Sequence, residues 1–293
     1  MKTLQIPEGI EYIKRDSLEI PKDITEIIFP NSLVAIDYNI FKECTKLQKV
    51  TFRGDFCPAM QSNSFLHGME TVIFDVKEID STELKISADA FIFTEKTKKI
   101  VAENFYCKEI MVDDKNDTFA SIDGMLYNFD KNTLLGCPRH YEKEEIVLPD
   151  SCDKIAQNAF MGNRFDSIDL NKTSIVSLGA FKNCLIKEII SYEKIKLLGS
   201  CFIFSDISKI ILLGKAKLSP GFIYESPFSC TEDTTIITSN QNYENNKKVL
   251  DDLKINDIAL TEKVDVLDYL LNNSSKQHVF TAYNNILKEN SER

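Results

Sequence analysis

Tryptophan is absent from the 293 residues, glycine occurs only 10 times and histidine 3 times. A β-propeller, with blades marked by glycine and aromatic residues, is therefore a poor fit. His67, His140 and His278 lie in separate segments with no partner at ligand or triad spacing, so neither a metal centre nor a Cys–His nucleophile is expected. The eight cysteines are scattered without a C-x-x-C pair and are expected to be reduced, mostly buried thiols. Phosphate-binding glycine loops and a G-x-S-x-G elbow are missing too, and no cofactor is expected. Basic charge is short: 35 Lys and Arg against 45 Asp and Glu leave a net charge of −10, which disfavours nucleic acid and anionic membranes as partners. No apolar run approaches the ~18 residues of a membrane span. The opening Met1-Lys-Thr-Leu-Gln-Ile-Pro7 has no apolar stretch or small-residue cleavage site. The expectation is a cytoplasmic protein, or a surface or secreted one whose export signal has been removed.

What is present is repetition. Glu145-Ile-Val-Leu, Ser167-Ile-Asp-Leu, Glu188-Ile-Ile-Ser and Lys209-Ile-Ile-Leu follow one another at a nearly constant interval, marked by Ile146, Ile168, Ile189 and Ile210. Upstream, Ile6, Phe29, Phe52 and Phe74 keep almost the same step. Alternation such as Val50 and Phe52 inward, Lys49 and Thr51 outward, is the period of a strand. Each strand is preceded by a leading segment such as Leu33-x-x-Ile36-x-x-x-x-Phe41. Both intervals fall within the period of leucine-rich repeats, roughly 20 to roughly 29 residues. The fold class expected is thus an α/β-type repeat solenoid of roughly ten coils, one short parallel strand per 21–23-residue coil. Residues 1–240 form the solenoid and 241–293 a helical C-terminal cap.

Two stretches interrupt the rhythm. The interval from Val72 to Ile110 is too long for one coil and too short for two, so 76–107 is expected to be an irregular coil. Between Ile110 and Ile146 the surplus holds a hairpin insertion at about 121–138, with Asp123-Gly124 as a turn signal. Asp113-Asp-Lys-Asn-Asp117 lacks the glycine and closing glutamate of a calcium loop and reads as a solvated loop. In the tail, Val249, Leu250 and Leu253 suggest a short helix. Val264, Leu267, Leu270 and Leu271 form a second stripe, and Val279, Phe280, Tyr283, Ile286 and Leu287 a third. Thr261 and Ser274 or Ser275 are the candidate N-caps.

The run Ser121-Ile-Asp-Gly-Met-Leu-Tyr-Asn128, then Thr133-Leu-Leu-Gly-Cys-Pro138, Ile146-Val-Leu-Pro149 and Ile155-Ala-Gln-Asn-Ala-Phe160, resembles the BspA-like leucine-rich repeat family. Its members combine such a hairpin with an I-P-x-x-v-x-x-I-x-x-x-A-F-x-x-C repeat, and the resemblance spans about residues 4–238. It implies non-catalytic protein recognition, with attachment to host or matrix proteins as in bacterial surface members.

Outward strand positions supply the candidate site. Read down the stack they are Ile28, Thr51, Ile73, Met111, Val147, Asp169, Ile190 and Ile211, beside Glu26, Lys49, Thr71, Glu109, Glu145, Ser167, Glu188 and Lys209. Strands ~4.8 Å apart align these into an apolar column next to a mainly acidic one. Ile28, Ile73, Met111, Val147, Ile190 and Ile211 are the residues expected to bind an unidentified protein partner, or to be covered by the C-terminal helices or a second copy. The alternatives are a cytoplasmic scaffold and a glycan-binding module; for the latter only Tyr192 supplies an aromatic on this face.

Overall fold

The structure is a computed structural model that describes residues 2–15, 17–37, 39–60, 68–80, 86–101, 105–219, 234–251 and, for the backbone, 257–261. It divides into two compact units, 1–142 and 143–293. The expected boundary at 240/241 falls inside the second.

In chain order the first unit contains β1 (Thr3–Gln5), β2 (Tyr12–Ile13), β3 (Glu26–Ile28), β4 (Ala35–Ile36), β5 (Lys49–Phe56), β6 (Ala59–Met60), β7 (Met69–Asp80), β8 (Ala88–Phe93), β9 (Lys99–Val101), β10 (Glu109–Val112), β11 (Phe119–Ile122), β12 (Met125–Asn128) and β13 (Thr133–Gly136). The main sheet runs β1-β3-β5-β7-β8-β10, all parallel, with β9 on the far end of β7. Its inward register is Leu4, Ile27, Val50, Val72, Phe91, Ile110. Of these, Ile27 to Ile110 are at most 1% exposed. A smaller parallel sheet, β2-β4-β6, gathers the leading segments. Each of these coils therefore carries two short strands, not the single one expected.

The second unit contains β14 (Glu145–Val147), β15 (Lys154–Ile155), β16 (Arg164–Asp169), β17 (Ile175–Val176), β18 (Leu185–Ser191), β19 (Ile195–Leu197), β20 (Asp206–Leu212), β21 (Ala216–Leu218), β22 (Thr235–Ser239), α1 (Asn240–Asp251) and β23 (Asp257–Thr261). One parallel sheet is β14-β16-β18-β20-β22-β23; the leading segments pair as β15-β17-β19-β21. The four repeated strands align in register, Ile146↔Ile168↔Ile189↔Ile210, and Ile236 continues the row.

Phenylalanines fill the coils. Phe29, Phe52 and Phe74 stack at centroid distances of 5.2 and 5.8 Å in the first unit. Phe160, Phe181 and Phe202 follow at 5.0 and 5.3 Å in the second. A residue repeated at coil spacing lands directly over its predecessor, so one large ring per coil builds a continuous apolar spine.

Three expectations change. Residues 76–107 are not one irregular coil: β8 is a regular strand, and the register Val72↔Phe91↔Ile110 divides the long interval into two equal, shortened coils. Phe91, read as the end of a leading segment, is a core strand residue, and Ile100 pairs with Ile79 on the extension of β7. The expected hairpin gains a third strand. β11, β12 and β13 form an antiparallel meander, with Asp123 (φ 52°) and Gly124 (φ 76°) making its first turn. At the C-terminus, Thr261 lies in strand β23, paired with Ser239, and does not cap a helix. Of the expected helical cap only α1 is described, started by Ser239, whose Oγ accepts from the Asn242 N–H at 3.2 Å. The stripes at 264–271 and 279–287, and Ser274 and Ser275, lie outside the described residues.

Candidate functional site

In the first unit the outward column reads Gln5, Ile28, Thr51, Ile73, Ile92, Met111. Ile28, Ile73 and Ile92 are half-buried, and Met111 is 38% exposed. A parallel ladder fixes these side chains on one face, ~4.8 Å from coil to coil. The flanking column is polar and tied together. Lys49 Nζ lies 3.0 Å from Glu26 Oε1, and Thr3 Oγ1 donates to Glu26 Oε2 at 2.9 Å. The Lys49 ammonium, together with the Thr3 hydroxyl, holds the Glu26 carboxyl below its ordinary range. Ile92 is missing from the sequence-derived column because spacing alone leaves its coil irregular. The signal was there, since Phe91-Ile92-Phe93 alternates as Val72-Ile73-Phe74 does.

The second unit behaves differently. Val147 is half-buried, but Asp169, Ile190 and Ile211 are 0% exposed and Ile237, next in register, 4%. Ile190 and Ile211 are thus not open to solvent, contrary to expectation. They are not core residues by alternation, because their neighbours Ile189 and Ile210 already face inward; both sides of these strands are closed. Tyr192, the aromatic on which a glycan reading depends, is also buried at 5% exposure.

Asp169 interrupts the column, as its sequence position requires. Its Oδ1 accepts from the Asn171 N–H at 2.7 Å, while Oδ2 and the nearby Ser167 Oγ have no hydrogen-bond partner. Burial pushes the Asp169 carboxyl up to about 6, against which the Asn171 hydrogen bond pulls only weakly. Along the flanking column Lys209 Nζ pairs with Glu188 Oε2 at 3.5 Å.

The remaining chemistry-bearing residues serve local structure. His140 meets the Tyr106 ring edge-on at 6.1 Å, and His67 and His278 lie outside the described residues. In the acidic run, Asp113 Oδ1 accepts from the Lys115 N–H, Asp117 pairs with Lys98, and buried Asn116 donates to Thr94 O and Thr97 O. A cleft of about 360 Å³ beside it is lined by Asp113, Asp114, Phe119 and Phe129. Among the described residues no three His, Cys, Asp or Glu side chains converge as a metal site would need. Of the eight cysteines seven are described, all of them buried but Cys57, which is half-buried. Among the described residues no helix is long and apolar enough to cross a membrane.

The sequence matches the model of the BspA type leucine rich repeat region, in six copies over residues 1–111 and 153–278. The interval between the two matches holds the β11–β13 meander. No curated protein sequence matches the chain. Among solved structures, a leucine-rich repeat protein from Eubacterium ventriosum is similar at 15% identity and TM-score 0.49, over 88% of this chain and 78% of that one. The pneumococcal vaccine antigen PcpA is similar at 14% identity and TM-score 0.42, over 89% of each chain. A leucine rich cell surface protein from Faecalibacterium prausnitzii is similar at 15% identity and TM-score 0.39, over 89% and 88%.

Proposed function

Since the chain belongs to the BspA-type leucine-rich repeat family, we propose that it is a non-catalytic scaffold for protein recognition whose partner docks on the open face of the first sheet. The observation that carries this reading is the solvent-accessible run Ile73, Ile92 and Met111 on three adjacent strands, with Ile28, beside the Glu26–Lys49 pair, set apart from it by Thr51, which is buried at 8% exposure. An apolar centre with a polar, ion-paired rim is the composition of a protein–protein contact. Rigid strands present it with little ordering cost on binding. Attachment to a host or matrix protein is the form of this activity that the family resemblance implies. Ile190 and Ile211 drop out of the candidate site, and Val147, half-buried, belongs to the second unit.

The test is the triple variant Ile28→Ser, Ile73→Ser, Met111→Ser, used beside wild type to capture partners from native lysate and from extracellular host protein. Loss of the captured protein with an unchanged near-UV circular dichroism spectrum is expected. Equal capture by the folded variant overturns the reading. Sedimentation of both forms separates a foreign partner from a second copy of the chain.

A further inference from the structure

We propose that a cleft between the first two coils binds a small amphiphilic anion, a medium-chain aliphatic carboxylate. The cleft measures about 310 Å³ and lies between the segment that leads from β2 to β3 and the one that leads from β4 to β5. Its origin is a difference in side-chain size. β2 and β4 pair with Ile13 opposite Ile36, and at the same distance beyond them Leu18 stands in the first coil where Phe41 stands in the second. Phe41 is fully buried and meets Phe29 edge-on at 5.8 Å. Leu18 is half-buried and smaller, so the first coil leaves open the space that a ring closes in the next. Ile20 and Ile40 join Leu18 in the floor of the cleft, and all three pack on the buried core of the unit. Among the described residues no aromatic side chain lines it, so the floor suits an aliphatic body.

The rim is cationic. Lys14, Arg15, Lys22 and Lys42 line it against one carboxylate among the described residues, Glu43. Glu43 is engaged by Lys22, Nζ to Oε2 at 3.4 Å, while Lys14 and Lys42 make no ion pair among the described residues. This local excess reverses the sign of the whole chain, whose net charge is −10. Charges farther off than ~8 Å are largely screened at physiological salt, so the rim decides which ion enters. The volume is that of about ten water molecules at ~30 Å³ each, the size of octanoate. With the alkyl chain on the floor and the carboxylate at the rim, both halves of such a molecule meet matching groups. An inorganic anion leaves the apolar floor wet, and a neutral alcohol leaves the ammonium groups unmatched. The site shares no residue with the strand column proposed to dock a protein, so each assignment stands or fails by itself.

Calorimetric titration of the full-length protein with octanoate, kept below its micelle concentration, tests the proposal. Saturable binding at a single site is expected, with acetate, which lacks the chain, and octanol, which lacks the charge, each at least about tenfold weaker. Two variants act on opposite halves of the site. Lys14→Gln with Lys42→Gln, both exposed positions, should weaken octanoate about tenfold by removing two charge-assisted partners. Leu18→Phe keeps every charge, gives the first coil the residue of the second, and should abolish binding by filling the cleft. Absence of saturable binding, equal affinity for octanol, or wild-type affinity in either variant overturns the assignment.

Discussion

Phe204 is a residue whose chemistry and backbone disagree. Gly162, Asn183 and Phe204 occupy the same place in successive coils, all at positive φ (72°, 57° and 57°). Glycine and asparagine tolerate that region; a bulky side chain there is strained. Phe204 is also 72% exposed, so packing offers little compensation. Phe204→Gly or Phe204→Asn should stabilise the protein by about 1 kcal/mol, read as a higher urea midpoint at unchanged slope. Asp169 makes the opposite kind of prediction. Its folded-state value, raised from 3.8 to about 6, means that the native state holds a proton the unfolded chain has released. Stability should therefore fall as pH rises from about 4 to 6 and stay lower above that. The loss is bounded by about 3 kcal/mol, from roughly two pH units at about 1.4 kcal/mol each. Asp169→Asn should flatten the dependence, which thermal melts between pH 4 and 7 would reveal.

Within single coils, the phenylalanine spine and the asparagines of α1 show how neighbouring strands are tied. Phe181 sits between Phe160 and Phe202 and is fully buried. Its replacement by alanine should cost about 3–5 kcal/mol. Asn246 accepts from the Leu218 N–H and donates to Ala216 O, standing in for the strand that would otherwise continue the β15-β17-β19-β21 sheet. Asn246→Ala should leave those groups unpaired, cost about 1–3 kcal/mol and speed amide exchange at Leu218. The inward registers of the repeated strands were legible in the sequence because an isoleucine or phenylalanine recurs at each coil spacing. The two coils between Val72 and Ile110 were not, because there the period shortens and Phe91 stands at the strand position where the other coils have Leu, Val or Ile. The second ladder was missed for another reason. Its strands are two or three residues long, too short for alternation to show.

For the molecule as a whole, stability in a repeat array is approximately a sum of coil terms and nearest-neighbour terms. Damage should therefore stay local. Phe52→Ala should raise hydrogen exchange in β3, β5 and β7 while β18 and β20 keep their protection, as peptide-resolved mass spectrometry would show. The candidate surface was half legible at this scale. Strand alternation gave which residues point outward, but whether anything lies over them depends on contacts distant in sequence, and no local pattern separates the accessible Ile73 from the inaccessible Ile190. The constant offset between β18 and β20, held from Leu185↔Asp206 to Ser191↔Leu212, has a genetic consequence. A DNA segment encoding one such coil is a self-compatible cassette: an in-frame duplication inserts one more turn whose isoleucines and phenylalanine meet copies of their usual neighbours. Unequal recombination can lengthen or shorten such a gene in whole coils without inventing a new core.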